Sequence, residues 1–155
     1  KMYPIKTDRY AVAVDISAKI EAWDKPSVIA LANDHTRALL VTAETKQAVA
    51  RLLKGNVEQP QYVLMAVLTY LVVQPEIENV SSITLDRDYS GRVAERLIVR
   101  RLLGLLRRKR PKLKASAVRI NNVAGSRADR LAREVYREIK KPDGEITLAE
   151  IEAVL

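Results

Sequence analysis

A chain of 155 residues, 48% of them apolar and 30% charged, has the length for one compact core and too little for two. That composition excludes disordered and collagen-like classes. The absence of cysteine excludes disulfide scaffolds, thiolate metal sites and Cys nucleophiles, and a lone His35 argues against His-rich metal sites and Ser-His-Asp chemistry. With 27 Lys+Arg against 19 Asp+Glu the net charge is +8, which favours a polyanionic partner and leaves any catalysis to carboxylates. The most apolar run, 62–73, is broken by Thr69 and is too short for a membrane span, and 1–6 has no hydrophobic signal region. The expectation is a soluble cytoplasmic protein forming a single domain over 1–155, with 142–155 as an appended turn and short helix.

The apolar run over 10–17 predicts a central strand buried on both faces, with Asp15 near its carboxyl end. After a connection holding Trp23 and Pro26, strands over 27–32 and 37–41 flank Asn33-Asp34-His35-Thr36, residues suited to a hairpin turn. In this reading His35 is a turn residue and Trp23 a core residue. Apolar positions 48, 49, 52 and 53 predict a helix over 45–54 that stops at Gly55-Asn56, and Pro60 opens a second helix through Val73. A fourth strand over 82–86 ends in the acidic loop Asp86-Arg87-Asp88-Tyr89-Ser90-Gly91, and a long helix follows over 92–108. A strand over 115–120, a loop with Ser126 as cap, and a last long helix through about Lys140 complete the βα units, with Leu131, Val135 and Ile139 as the helix's buried stripe. Pro142-Asp143-Gly144 reads as a turn, and Thr147-Leu148-Ala149-Glu150 as a capping box opening a short helix that docks on its own domain. The absence of GxGxxG and GxxxxGK motifs argues against dinucleotide and P-loop sites.

This order brings three acids toward one place. Asp15 ends the first strand, Asp86 ends the fourth, and Asp129 lies in the opening turn of the last long helix. Adjacent parallel strands put their carboxyl ends about 5 Å apart. Clustered carboxylates repel unless protonated or bridged by cations, so Mg²⁺ or Mn²⁺ is the natural occupant. Two such ions could activate water on a phosphodiester without His or Cys. Asp88, two residues after Asp86, is the spare ligand; Glu44, at a helix start, reads as compensation of the helix dipole.

The βββαβαβα order, the strand ends Ala13-Val14-Asp15-Ile16-Ser17 and Ile83-Thr84-Leu85-Asp86, and the segment Ser126-Arg127-Ala128-Asp129-Arg130-Leu131-Ala132 together resemble the ribonuclease H-like superfamily, over about residues 10–140. The resemblance implies an α/β fold with a mixed five-stranded sheet, three antiparallel strands followed by βα units, flanked by helices. It also implies metal-dependent cleavage of nucleic-acid phosphodiesters with Asp15, Asp86 and Asp129 as catalytic metal ligands. Two features of the family have no counterpart. Where its members carry a Glu early in the helix after the third strand, this chain has Tyr62-Val63-Leu64-Met65-Ala66-Val67, with Glu44 and Glu58 the nearest acids, and the loop 121–126 lacks a His. A non-catalytic nucleic-acid-binding or adaptor module on the same fold is therefore the alternative.

Arg92, Arg96 and Arg100 recur every four residues along one helix stripe, and Arg101, Arg107, Arg108, Lys109, Arg110, Lys112 and Lys114 extend it. Ten cations against the single acid Glu95 over 92–114 predict a positive field for DNA or RNA, with Arg127 and Arg130 continuing the track. No aromatics are interleaved, so recognition would rest on the backbone.

Overall fold

The computed structural model describes residues 8–57, 59–89 and 91–155; Lys1 to Lys6, Glu58 and Ser90, read above from sequence, lie outside them. The chain folds as an α/β structure around a mixed sheet of six strands, β1 (Tyr10–Ser17), β2 (Ser27–Ala32), β3 (Thr36–Val41), β4 (Val80–Asp86), β5 (Val118–Asn121) and β6 (Gly144–Glu145). Their order across the sheet is β5-β4-β1-β2-β3-β6. The first three strands are antiparallel, whereas β4 runs parallel to β1, β5 to β4 and β6 to β3. Five helices flank the sheet: α1 (Ala43–Leu53), α2 (Pro60–Val73), α3 (Arg92–Leu106), α4 (Arg127–Tyr136) and α5 (Leu148–Glu152).

Strand alternation divides the core between the two faces. Val12, Val14 and Ile16 of β1, Ile29 and Leu31 of β2, and Ile83 and Leu85 of β4 join the side chains of α2 and α3 in the main apolar cluster. On the opposite face Val28, Ala30 and Ala38 pack with Ala132 and Val135 of α4. Every residue of α2 from Val63 to Val73 is buried, so this helix carries no polar stripe; Thr69 satisfies its hydroxyl on the Met65 carbonyl at 2.8 Å. Local signals place the elements between them. Asn33 Oδ1 accepts the His35 N–H at 2.9 Å in the hairpin turn, and Thr42 and Ser126 cap α1 and α4 by accepting the N–H groups of Thr45 and Asp129.

Several expectations need correction. The sheet has a sixth strand: beyond Pro142, Asp143 Oδ2 accepts the Ala38 N–H at 2.7 Å, and Gly144 and Glu145 pair beside Leu39 and Leu40. Two residues are too few to show strand periodicity. Residues Ala115–Ala117 form a 3₁₀ turn, so β5 starts only at Val118. The last long helix stops at Tyr136, because Glu138 takes a left-handed conformation at φ 62°. Ile139 is consequently 66% exposed instead of extending the stripe of half-buried Leu131 and buried Val135. At the C-terminus Ile146 and Ile151 are buried in the main cluster, and the Thr147–Glu150 capping box is formed in full.

Candidate metal centre

The last registered pair of the parallel strands β1 and β4 is Val14 with Leu85, so Asp15 and Asp86 follow side by side. Both belong to the alternate set that faces away from α2 and α3. The chain then turns tightly, with Asp88 N–H donating to the Asp86 carbonyl at 3.0 Å, and this brings Asp88 back over the strand end. One carboxylate oxygen from each of Asp15, Asp86 and Asp88 lies within 4.8 Å of the others, close enough to share a single cation. Asp129 enters from the first turn of α4 and stands close enough to Asp15 for each carboxyl to shift the other. Of the three acids read from sequence as one cluster, Asp15 and Asp86 share the group, and Asp129 lies outside the set that could hold one ion. Asp88, read as the spare, is inside the triad, and Asp129 stands against Asp15.

Each oxygen's partners show what is committed and what is open. Asp15 is buried, and its Oδ1 accepts the Ile16 N–H at 2.8 Å. Asp86 Oδ1 accepts the Val123 N–H at 3.0 Å, tying β4 to the loop before α4. Asp129 Oδ2 accepts Gly125 N–H at 2.8 Å and an Arg133 guanidinium N–H at 3.2 Å; Gly125 presents that amide at φ 81°, a conformation suited to glycine. Asp88 Oδ2 is buried and receives no hydrogen bond from a donor of the fold among the described residues, and its carboxyl faces that of Asp86, a pairing that is favourable only when a proton or a cation lies between the two.

Burial, followed by the Asp86 charge, pushes the Asp15 carboxyl up to about 8, although the Ile16 N–H opposes it. Burial and the same Asp86 charge push Asp88 up to about 7. The Gly125 N–H holds Asp129 below the usual carboxylate range, with the Asp15 proton and Arg133 acting in the same direction. The two shifts have opposite signs, so at neutral pH a proton on this pair favours Asp15 over Asp129, while Arg133 supplies a counter-charge to Asp129. No family model, curated protein or solved structure matches the chain. The chemistry of the centre rests on this geometry.

A second tier of residues supports the cluster, and sequence reading missed it. The loop after β1 carries Glu21, whose Oε1 accepts the Tyr89 hydroxyl at 2.9 Å beside Asp88. Lys46, fully buried, holds that loop from α1: its ammonium donates to Ala22 O at 3.0 Å, Ser27 Oγ at 2.9 Å and Lys19 O at 3.4 Å. Burial brings Lys46 down to about 8, with Asp24 and Glu21 opposing the shift. The available signal was helical spacing, since 46, 49 and 53 share the inner stripe of α1. Glu44, in the first turn of α1, is exposed.

The predicted basic residues fall into two groups. Arg92, Arg96 and Arg100 are exposed along α3, Lys109 and Arg130 are exposed as well, and none of these five makes an ion pair among the described residues. Others are also bound to main-chain carbonyls: Arg107 Nε donates to Leu113 O at 2.9 Å, Arg108 to Val154 O at 3.2 Å and Arg127 to Asn33 O at 2.5 Å. Half-buried Arg110 donates to the carbonyls of Ile77 and Val80. His35 sits in its turn as expected, but its Nε2 also reaches buried Glu76 at 3.0 Å, in a network with Tyr10 and Arg37. Trp23 is half-buried against the main cluster. Among the described residues no helix is long and apolar enough to cross a membrane.

Proposed function

We propose that this chain is a divergent ribonuclease H-like nuclease of the cytoplasm that hydrolyses nucleic-acid phosphodiester bonds with Mg²⁺ or Mn²⁺. The observation that carries the reading is the carboxylate group at the joined ends of β1 and β4, with a buried Asp88 oxygen that receives no hydrogen bond from a donor of the fold among the described residues. Three hard oxygen donors within 4.8 Å suit a small divalent ion. The sheet order, with three antiparallel strands and then parallel β4 and β5 on the other side of β1, supports the fold assignment. Asp15, Asp86 and Asp88 would hold the ion, with Asp129 beside Asp15. When bound, such ions polarise the phosphodiester, activate water and stabilise the leaving oxygen.

The protein's own groups do the rest. Asp15 and Asp88, protonated up to about 8 and about 7, must release their protons to become ligands, so occupancy increases with pH through that window. Asp86 and Asp129 are oriented by backbone amides, which preorganises the group. The exposed Arg92, Arg96 and Arg100 stripe starts beside the acidic loop and attracts the substrate backbone.

One observation favours a second reading, a non-catalytic nucleic-acid-binding or adaptor module: α2 carries no acid between Pro60 and Val73 to add a further carboxylate. Labelled single-stranded, duplex, hybrid and branched substrates, offered with Mg²⁺ or Mn²⁺, separate the two. Metal-dependent cleavage that disappears in Asp15→Asn and Asp88→Asn is the expected result. Cleavage unaffected by Asp15→Asn overturns the assignment; tight, salt-sensitive binding with no cleavage establishes the module.

A further inference from the structure

At the opposite end of β4 from the acid cluster lies a cavity of about 430 Å³ whose lining includes Arg9, Arg110, Lys112, Lys114, Arg119 and Ser82. None of its lining residues is acidic. A neighbouring cavity of about 450 Å³ shares Arg9, Arg110 and Lys112 and adds Lys109, with Glu78 its one carboxylate. None of these cations is ion-paired among the described residues. Arg110 is anchored: its guanidinium donates to the Ile77 and Val80 carbonyls, which fixes it at the cavity wall. Burial and then the Arg9 charge beside it draw Arg110 below the usual guanidinium range. Five like charges converge on this concavity, and the one nearby carboxylate, Glu78 of the adjoining cavity, opposes only part of that charge, so the site favours an anion.

A strip of sheet connects this cavity to the acids. On the face shared by Asp15 and Asp86, β1 offers Ala11 and Ala13 and β4 offers Ser82 and Thr84, in register as Ala11 with Ser82 and Ala13 with Thr84. Arg119 of β5 stands beside Thr84. All four side chains are small, and α4 packs over β1, β2 and β3. Ser82 is four residues from Asp86, about 13 Å along a strand, or roughly four nucleotide rises.

We propose that this cavity is a second binding site, which grips backbone phosphates of a nucleic-acid strand whose other part lies at the acid cluster. The identity of the polyanion rests on the nuclease reading; the anion site itself rests on the cavity. Its chemistry is backbone recognition by guanidinium and ammonium groups with serine hydroxyls as further donors, and it sets how far from a held phosphate the strand meets the carboxylates.

The test is fluorescence anisotropy of a labelled 12-nucleotide strand in EDTA, which prevents cleavage. It compares wild type, Lys112→Gln/Arg119→Gln, and the charge-matched control Arg137→Gln/Lys141→Gln on an unrelated surface. The cavity variant is expected to bind roughly tenfold or more weakly and to lower the slope of log K against log salt by about 2, with the control close to wild type. Lys114→Gln, a single exposed change, should shift both in the same direction and guards against misfolding of the double variant. Equal binding by cavity variant and control overturns the proposal while leaving the nuclease reading intact, since that reading is decided by metal-dependent cleavage. Pyrophosphate perturbing the Ser82 and Arg119 amide resonances without any strand binding overturns the nucleic-acid occupant in favour of a small polyphosphate. Absence of both overturns the site.

Discussion

The ammonium of Lys46 on α1 donates to Ser27 Oγ at 2.9 Å, and Ser27 Oγ in turn donates to the Ala18 carbonyl at 2.9 Å. These two side chains stitch α1, the start of β2 and the loop after β1 into one polar knot, with Ala18 held at φ 64°. The knot positions the loop bearing Glu21, whose partner Tyr89 borders the acid cluster.

Lys46 titrates at about 8 in the folded chain and near 10.5 when unfolded. Between those values the unfolded state binds more protons, so this group makes the fold more stable as pH rises from 8 toward 10. Above about 10 the raised tyrosines oppose it, because Tyr10, titrating at about 12, keeps its proton in the folded state. Lys46→Met is expected to remove the gain between pH 8 and 10, and to destabilise at pH 10 by about 1–3 kcal/mol through the carbonyls it orphans. Urea titrations of both proteins at pH 7, 8, 9 and 10 read this out. An identical pH slope in the variant contradicts it.

The acid cluster has the opposite sign. Asp15 and Asp88 hold protons in the folded state up to about 8 and about 7, against 3.8 in model compounds. The folded form thus binds more protons than the unfolded one across that window, and without divalent ions the protein loses stability as pH rises from 4 to 8. Asp15→Asn keeps an acceptor for Ile16 N–H and a donor toward Asp129, so in EDTA at pH 8 it should melt higher than wild type. Millimolar Mg²⁺ or Mn²⁺ should reverse that ranking, because an ion bound only to the folded wild type stabilises it. Calorimetry with and without metal decides.

Glu76 is completely buried in its side chain and accepts from Arg37 at 2.6 Å and Tyr10 at 2.8 Å. Glu76→Ala strands the nearly buried Arg37 charge and the Tyr10 hydroxyl, and is expected to destabilise by about 3–5 kcal/mol. The equilibrium denaturation midpoint measures it; a loss under about 1 kcal/mol would show the network to be dispensable.

The end of α4 gives a paired expectation. Leu68 is wholly buried whereas Ile139 is 66% exposed, so Leu68→Ala should destabilise by about 2–5 kcal/mol and Ile139→Ser by no more than about 0.5 kcal/mol. Thermal melts of the two variants check the pair. A large effect at Ile139 would mean that the helix continues past Tyr136.

Strand and helix placement up to Val73 was legible because the signals are local. The apolar run over 10–17, the turn residues at 33–36 and Pro60 at a first helical position all act within a few residues of themselves. The same holds for the Ser126 and Thr147 caps. Strand β6 was not legible, since two residues pair with β3 only because Asp143 anchors them to Ala38. The early end of α4 escaped as well: four-residue spacing reached Ile139, and the left-handed Glu138 interrupts it without Gly or Pro to announce the break.

For the candidate site, sequence alone determined which acids stand at strand and helix ends, because β-strand parity and helix capping are short-range properties. Only the tertiary structure decided that Asp88 joins Asp15 and Asp86, that burial and the Asp86 charge push Asp15 up while Asp129 is held down, and that Lys46 is buried. Those outcomes depend on how far water is excluded and on separations of a few ångströms between segments distant in the chain. Electrostatic energy is sensitive to both of these quantities, and the linear order of residues contains neither.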